Sequence, residues 1–295
     1  MAPTTRKRLF AFAVFLFILA LTGCGHKPHR PLRIAVNPWI GFTPILYAQH
    51  QGWLKDSDVK FIWAVGLEEN VKLYHQGLVD GFSATQYEYF TLEHPESVRP
   101  FFLFDRSAGA DVILANEPLA TLRQRNKTDA YLEVTGLTKD LLYAFAKQYR
   151  IPAETIELHA SDPETLARMP CPSTPTLLVS YEPYATAIEK HGYLRVASTR
   201  DLENIRVIDA LWLNTDKIKT HTEALIKLKT ALNRAIEALQ ADPRAYYDVV
   251  KGSLEGQSYE EFMQSLNGIA WINHNPSDML QYLKQQHIAT ESLAP

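Results

Sequence analysis

Short apolar segments alternate with amphipathic helical segments along most of the chain, and this alternation limits the possible folds more than any other feature. Apolar segments of this length, bounded by turn residues and followed by helical periodicity, predict an α/β protein with a largely parallel sheet. The predicted strands are residues 32–36, 59–65, 81–84, 100–104, 111–115, 131–134, 156–160, 176–181 and 205–213.

A polar, proline-containing segment at residues 116–128 interrupts the alternation, which then begins again. The chain has 295 residues, more than a usual single domain, so two lobes are expected. We assign residues 32–115 to the first lobe and 116–205 to the second. Residues 206–295 return to the first lobe and are expected to be wholly helical after residue 213, with one apolar stripe that ends at Asp242 and Pro243.

The N-terminal residues have the pattern of a signal peptide. Three basic residues, Arg6 to Arg8, precede an apolar run at 9–21 and then Thr22, Gly23 and Cys24. That run is shorter than the roughly 20 residues that cross a bilayer as a helix. The last residues resemble a bacterial lipobox, so we predict cleavage after residue 23, lipidation of Cys24 and a solvated tether at 24–31. The protein is then periplasmic or otherwise extracytoplasmic, anchored to a bacterial membrane by lipid.

Charge and cysteine content exclude two further possibilities. The net charge is −3, and removal of residues 1–23 takes away three basic and no acidic residues. An acidic chain without a basic cluster is a poor partner for nucleic acid. Only Cys171 remains once Cys24 is lipidated, so no disulfide can form within the chain.

Candidate ligand contacts follow from the rule that ligands bind beyond the carboxyl ends of strands in an open α/β sheet. We expect an aromatic wall, hydroxyl donors near helix N-termini that favour an anionic head group, and carboxylates that could instead receive an amine or amidine. For each residue a helix cap or a core aromatic is the alternative. The candidates are Trp39 and Phe42 for the wall, Thr43, Thr85, Ser107, Thr135 and Thr138 for the hydroxyls, and Asp111 and Glu182 for the carboxylates.

Several motifs occur in an order that resembles one family of transport proteins. The first is NPWIGFTP at residues 37–44, followed by Ala48 and by GWL at 52–54; the others are GLVDGF at 77–82, SAGAD at 107–111 and VSYEP at 179–183. Together they resemble the nitrate, sulfonate and taurine-type solute-binding proteins of ABC importers, a group that includes thiamine-pyrimidine-related members. The resemblance extends from residue 32 to about residue 239. A short, proline-rich segment at 166–176, which contains Cys171, departs from it.

This resemblance implies a type II periplasmic-binding-protein fold with two α/β lobes, a hinged cleft and a helical C-terminal tail. It implies a monomer that binds a small polar molecule, such as nitrate, a sulfonate, taurine or a pyrimidine, and delivers it to an ABC transporter permease. No enzyme activity, cofactor or metal is expected. A ligand-sensing lipoprotein that signals to a membrane sensor protein is the alternative.

A hydrolase is the third class that the sequence allows. Residues 81–85 (GFSAT) imitate a nucleophile elbow, but Thr85 stands where the strained turn needs a second glycine. No pair of Cys or His residues has zinc-site spacing, and no glycine-rich loop carries a phosphate-binding lysine. The sequence therefore favours binding over catalysis.

Overall fold

The computed structural model describes residues 30–272 and 276–293. The predicted signal peptide, Cys24 and all but the last two residues of the tether lie outside the described residues. The strands are β1 (Leu32–Val36), β2 (Val59–Trp63), β3 (Gly81–Thr85), β4 (Val98–Ser107), β5 (Asp111–Ala115), β6 (Thr128–Leu132), β7 (Ile156–Ala160), β8 (Thr176–Tyr181), β9 (Leu194–Ser198), β10 (Val207–Asn214) and β11 (Ile269–Trp271).

Helices connect most of these strands and form the C-terminal region. The α-helices are α1 (Thr43–His50), α2 (Leu67–His75), α3 (Gln86–Tyr89), α4 (Leu119–Leu122), α5 (Gly136–Tyr149), α6 (Pro163–Ala167), α7 (Tyr184–Glu189), α8 (Thr215–Thr220), α9 (Thr222–Ala241), α10 (Pro243–Val250), α11 (Tyr259–Leu266) and α12 (Ser277–Gln285). Short 3₁₀ segments occur at Ile40–Phe42, Pro95–Ser97, Ala153–Thr155, Lys251–Ser253 and Glu291–Leu293.

The strands form two sheets. The first has the order β11-β4-β10-β3-β1-β2, and the second has the order β7-β6-β8-β5-β9. We call each sheet with its helices a lobe, lobe 1 for the first sheet and lobe 2 for the second. The chain passes from lobe 1 to lobe 2 between β4 and β5 and returns between β9 and β10.

Three expectations about the strands need correction. β5, which we had placed in the first lobe, pairs with β8 and β9 in the second sheet. Among the described residues, five of the nine strand pairings are antiparallel, so neither sheet is largely parallel. The reason is that β5 begins beside the last residue of β8 and β10 begins near the last residue of β3. Each of these two strands therefore runs antiparallel to that neighbour. The C-terminal region also contains a strand, β11, and is not wholly helical.

Local sequence signals set many of the helix boundaries. Thr85 caps α3 and forms a capping box with Glu88. Ser258 and Glu261 form a capping box at the start of α11. Thr43 is the first helical residue of α1, and its hydroxyl donates to the carbonyl of Ile40.

The apolar core has a large cluster that is continuous through both lobes. It contains Phe82 and Trp212 from lobe 1 as well as Leu141 and Phe145 from lobe 2. A second cluster joins the other face of the first sheet to α1, α9 and α10, and a third lies behind the second sheet. The facing edges of the two sheets are therefore held close together, and the polar residues at those edges are buried.

Candidate functional site

A polar network lies at the cleft edge of lobe 1, where β1 and β3 meet. The side-chain oxygen of Asn37 accepts hydrogen bonds from Asn70 Nδ2 at 2.9 Å and from Ser83 Oγ at 3.0 Å. Its amide nitrogen donates to the hydroxyl of Tyr181 in lobe 2 at 3.3 Å. Asn37 thus connects the two lobes through a buried side chain.

The indole of Trp39 lies next to this network. Its Nε1 donates to Asp105 Oδ2 at 3.3 Å, and its ring meets that of Tyr181 edge to face, with 5.8 Å between centroids. Gly41 passes so close that a Cβ there would overlap both the Asp105 carboxyl and the indole nitrogen. A residue without a side chain is required at this approach.

Asp105 and Asp209 form a carboxyl pair on neighbouring strands. They are register partners on β4 and β10, and both are buried. Burial raises the pKa of Asp105 and of Asp209 well above the usual value, and the charge of Asp105 raises the pKa of Asp209 further. Two neighbouring buried carboxyls disfavour the state in which both are charged.

Asp111 is the first residue of β5 and is 4 % exposed. Its Oδ2 has no hydrogen-bond partner among the described residues. Burial raises the pKa of Asp111 to about 7; a hydrogen bond with Ser107 opposes this effect, and the charge of Glu88 adds to it. This carboxyl therefore changes its charge near neutral pH.

Two glutamates each form a hydrogen bond with the opposite lobe. Glu133 of lobe 2 accepts a hydrogen bond from the backbone nitrogen of Glu68, in the first turn of α2, at 2.6 Å. Glu88 of lobe 1 accepts one from the backbone nitrogen of Leu137, in the first turn of α5, at 3.0 Å. A helix N-terminus attracts negative charge, so each carboxyl caps a helix of the opposite lobe.

Both glutamates are nonetheless poorly solvated. Burial raises the pKa of Glu133 to about 7, against the hydrogen bond from Glu68. Burial also raises the pKa of Glu88, against its hydrogen bonds to Thr85 and Leu137. Glu133 Oε2 has no hydrogen-bond partner among the described residues. The interface between the lobes therefore contains acceptor capacity that the protein itself does not use.

An open groove leads to Glu88 from solvent. It has a volume of about 520 Å³. Tyr87 and the half-exposed ring of Phe90 provide apolar surface, and the first turn of α5 forms the opposite wall. The charged residues that line it are Glu68, Glu88, Lys139 and Asp140. Three acidic side chains and one basic side chain make the groove acidic.

The two passages between the lobes are tied together at their base. Ser107 Oγ and Thr199 Oγ1 are 2.8 Å apart, and the backbone nitrogen of Gly109 donates to the same threonine oxygen at 2.8 Å. Two adjacent chain segments joined by a few hydrogen bonds form a hinge on which two compact lobes can rotate.

Solved structures with this arrangement include a component of a bacterial import system and a bacterial sulfonate-binding protein. One is the zinc-bound ligand-binding component of an ABC-type import system from Staphylococcus aureus, with a TM-score of 0.67, 13% identity, and coverage of 90% of this chain and 96% of that chain. A second is the alkanesulfonate-binding protein SsuA from Xanthomonas axonopodis pv. citri bound to MOPS. Its TM-score is 0.65 and its identity 13%, with coverage of 91% of this chain and 97% of that chain.

A third structure names the fold directly. It is a Candida albicans gene product that exhibits the generic periplasmic binding protein structural fold, with a TM-score of 0.62, 13% identity, and coverage of 83% of this chain and 82% of that chain. The present chain has the periplasmic-binding-protein fold. No protein-family model matches its sequence, and no curated protein is significantly similar to it. The likeness therefore lies in the three-dimensional arrangement.

Within this periplasmic-binding-protein fold, five of the predicted contacts lie at the cleft between the lobes. Thr85 caps α3, and Thr135 and Thr138 form a reciprocal cap at the start of α5. Their hydroxyls shape the helix ends that face the cleft. The five residues are Trp39, Thr85, Asp111, Thr135 and Thr138.

The other four predicted contacts have partners elsewhere in this structure. Phe42 packs on Phe104 in the lobe 1 core, and Thr43 accepts a hydrogen bond from the hydroxyl of Tyr246 in α10. Ser107 belongs to the hinge. Glu182 is paired with Arg195 at 2.7 Å and lines a separate cavity of about 580 Å³ that does not include the capping glutamates.

Sequence reasoning missed four acidic residues that lie at the cleft, although signals for some of them exist. Thr85 and Glu88 have capping-box spacing, which predicts a placed carboxyl. Asp209 interrupts the apolar strand VIDALWLN, where a charged residue is unexpected. Glu133 has no comparable local signal, because its helix partner is 65 positions away in the sequence. The four residues are Glu88, Asp105, Glu133 and Asp209.

One group of possible metal ligands lies on lobe 2, away from the cleft. Asp129, Glu157 and His159 lie on β6 and β7, with ligand atoms within 4.8 Å of one another. Lys127 Nζ is 2.6 Å from Glu157 Oε2. This ion pair already provides a positive charge, so the group is explained as a surface network. Over the described residues, no helix combines the length and apolar character needed to cross a bilayer.

Proposed function

We propose that the protein is the extracytoplasmic solute-binding component of an ABC-type importer, which holds a small polar molecule between its lobes and delivers it to a membrane permease. The observation that carries this proposal is the set of buried, unpartnered oxygens at the interface between two hinged lobes. Buried acceptors without partners cost free energy, and a ligand that donates hydrogen bonds to them removes this cost. The importer components among the similar structures support the same role.

The proposed ligand contacts combine the predicted residues with those that the structure adds. Trp39 supplies aromatic surface, Asp111 accepts hydrogen bonds, and Thr85, Thr135 and Thr138 hold the helix ends at the cleft. Glu88, Asn37 and Glu133 complete the set from both lobes. The domain boundaries proposed with this site are 32–107 and 207–295 for lobe 1 and 111–198 for lobe 2, with the hinge at 108–110 and 199–206 between them.

Ligand capture then follows from the position of the hinge. Rotation about residues 108–110 and 199–206 separates the two capping glutamates from their helices and opens the groove. Closure brings acceptors from both lobes onto the solute and removes water from it. The closed form differs in shape from the open one, so a permease can distinguish loaded from empty protein. Binding without chemical change of the solute is all that this cycle requires.

The proposal also includes the membrane anchor. The basic and apolar N-terminal pattern with Cys24 supports export, cleavage and lipid attachment, which keep a monomeric binding protein beside its permease. We propose residues 24–31 as the tether.

Uptake measurements test the proposed function. Cells that lack the protein are compared with complemented cells for uptake of labelled nitrate, taurine, alkanesulfonates, thiamine-related pyrimidines and amines. We expect the loss of uptake for one solute, and a rise in melting temperature when the purified protein is mixed with that solute. Unchanged uptake of every solute, or conversion of a solute to a product by the purified protein, contradicts the proposal.

A further inference from the structure

The cleft contains a concentration of acidic groups that have no ion-pair partner among the described residues. Each of the five carboxyls is at most 5 % exposed, and no ion pair between described residues includes any of them. Their electrostatic interactions couple them into one set, since Glu88 acts on Glu133, Asp111 and Asp209. The five are Glu88, Asp105, Asp111, Glu133 and Asp209.

The two helix N-termini that face the opposite lobe here are already occupied. Backbone N–H groups at helix N-termini are the usual protein sites for an oxyanion. The first turn of α2 holds the carboxyl of Glu133, and the first turn of α5 holds that of Glu88. A nitrate or sulfonate would have to displace a carboxylate and then lie among others.

The unpartnered carboxyl oxygens favour a ligand that carries hydrogen-bond donors and a positive charge. Asp111 Oδ2 and Glu133 Oε2 are buried and have no hydrogen-bond partner among the described residues. Lys139 is the one basic residue that lines the groove described above, and Glu68 and Asp140 lie in the same groove. Tyr87 and Phe90 offer an aromatic surface there, which is favourable for a cation as well as for an apolar body.

We infer that the solute held by this cleft is a cation with N–H donors, an amine or an amidinium, and that Asp111 and Glu133 are its carboxylate partners. This inference rests on the proposed function and names its substrate class. The positive group lies between the two lobes and contacts Asp111 and Glu133, both of which belong to lobe 2. Glu88 of lobe 1 adds negative charge from the opposite side. The body of the solute extends into the groove beside Tyr87 and Phe90.

Calorimetry on the chain from Gly25 onward tests the inference; this chain includes the compact unit Leu32–Pro295. The cationic probes are putrescine, spermidine and benzamidine, and the anionic probes are nitrate, taurine and methanesulfonate, all at equal ionic strength. We expect at least one cationic probe to bind at pH 8, and to bind roughly tenfold or more weakly at pH 5, where the carboxyls are protonated. We expect no binding of the anionic probes.

Amide variants distinguish the proposed contacts from a general effect of the negative charge of the protein. Asp111→Asn and Glu133→Gln are each expected to weaken binding of the cationic probe by roughly tenfold or more. Glu154→Gln changes an exposed carboxyl on lobe 2 and is expected to leave binding unchanged. Circular dichroism checks that each variant is folded. If only one of the two cleft variants folds, that variant is compared with Glu154→Gln.

The other outcomes overturn the inference in distinguishable ways. Binding of nitrate, taurine or methanesulfonate would leave the proposed function intact and show that the charge assignment is wrong. Cation binding that survives both amide substitutions would place the cation elsewhere. An absence of binding by all six probes would reject the amine and amidinium class, while the uptake experiment would still decide the function.

Discussion

Glu88 and Glu133 lie on opposite lobes, and each accepts a hydrogen bond from the first turn of a helix on the other lobe. The arrangement is reciprocal, because α2 and Glu88 belong to lobe 1 whereas α5 and Glu133 belong to lobe 2. Closure of the cleft therefore pairs both helix ends at once, and opening exposes both. Two charge-assisted contacts on opposite sides of the cleft bias the hinge towards the closed form.

Removal of one of these contacts is expected to open the cleft. At pH 8, where the carboxyl of Glu133 is charged, Glu133→Ala leaves the α2 end uncapped, which costs the closed form about 1.5–3 kcal/mol for a hydrogen bond to a charged group. We expect a larger radius of gyration by small-angle X-ray scattering. Glu133→Gln keeps an acceptor oxygen and should open the cleft less. Equal scattering from wild type and Glu133→Ala would show that the cap does not contribute to closure.

The unliganded protein is expected to be more stable at pH 5 than at pH 8. Asp111 and Glu133 have pKa values of about 7 in the folded protein, above the unfolded values of 3.8 and 4.5. The folded state therefore binds more protons, and its advantage is lost as the pH rises through 7. Each pKa unit corresponds to about 1.4 kcal/mol. Urea denaturation at the two pH values measures the change in the free energy of unfolding.

Neighbouring carboxyls raise the pKa values of these two groups further, since Glu88 acts on both and Glu68 acts on Glu133. Tyr87, Asp105, Tyr181 and Asp209 also lie near enough to Asp111 for its charge to raise their own pKa values. Carboxyls with a lowered pKa, such as those of Asp162 and Glu261, lose their contribution only below about pH 5. Glu133→Gln should reduce the slope of stability against pH, and an unchanged slope would count against the assignment.

The close approach at Gly41 predicts a strong effect of a single methyl group. In Gly41→Ala the new Cβ overlaps the carboxyl of Asp105 and the indole nitrogen of Trp39. We expect a loss of about 1–3 kcal/mol or more in the free energy of unfolding. Gly252→Ala is the matched control, because nothing lies within 4 Å of its Cβ position, and it should change stability by about 1 kcal/mol at most.

Lipid attachment can be tested on the two cysteines of the chain. Cys24→Ser is expected to abolish incorporation of labelled palmitate and to release the protein into the soluble fraction. Cys171→Ser removes the exposed free thiol and should leave the label and the membrane association unchanged. Label that persists in Cys24→Ser would disprove anchoring at this residue.

The sequence predicted the strands better than their arrangement. β1, β5, β7 and β8 have the expected bounds, because an apolar run between turn residues is a local signal. Pairing depends on distant segments: β10 inserts between β3 and β4, more than 90 residues from either in the chain. No local pattern contains that information, so the antiparallel pairings were not anticipated.

The candidate site divides in the same way. Thr85, Thr135 and Asp111 were predicted from their position after strands, and they lie at the cleft. The role of Glu133 depends on the first turn of a helix in the other lobe. The role of Asp209 depends on Asp105, its register partner on β4. Glu182 follows a strand as well, but Arg195 already pairs with it. Position after a strand predicts proximity to the cleft and says nothing about which groups are already paired.

The place of β10 in the first sheet has a consequence for folding during synthesis. β10 is the strand that joins β4 to β3, and its first residue, Val207, pairs with Ser107 at the end of β4. Lobe 2 is thus one contiguous stretch of the chain, which can fold as soon as that stretch has been synthesised. Lobe 1 must wait with unpaired strand edges until residue 214 has been synthesised. The half-built first sheet is the stage of biogenesis at which this protein is most exposed to aggregation and most in need of a chaperone.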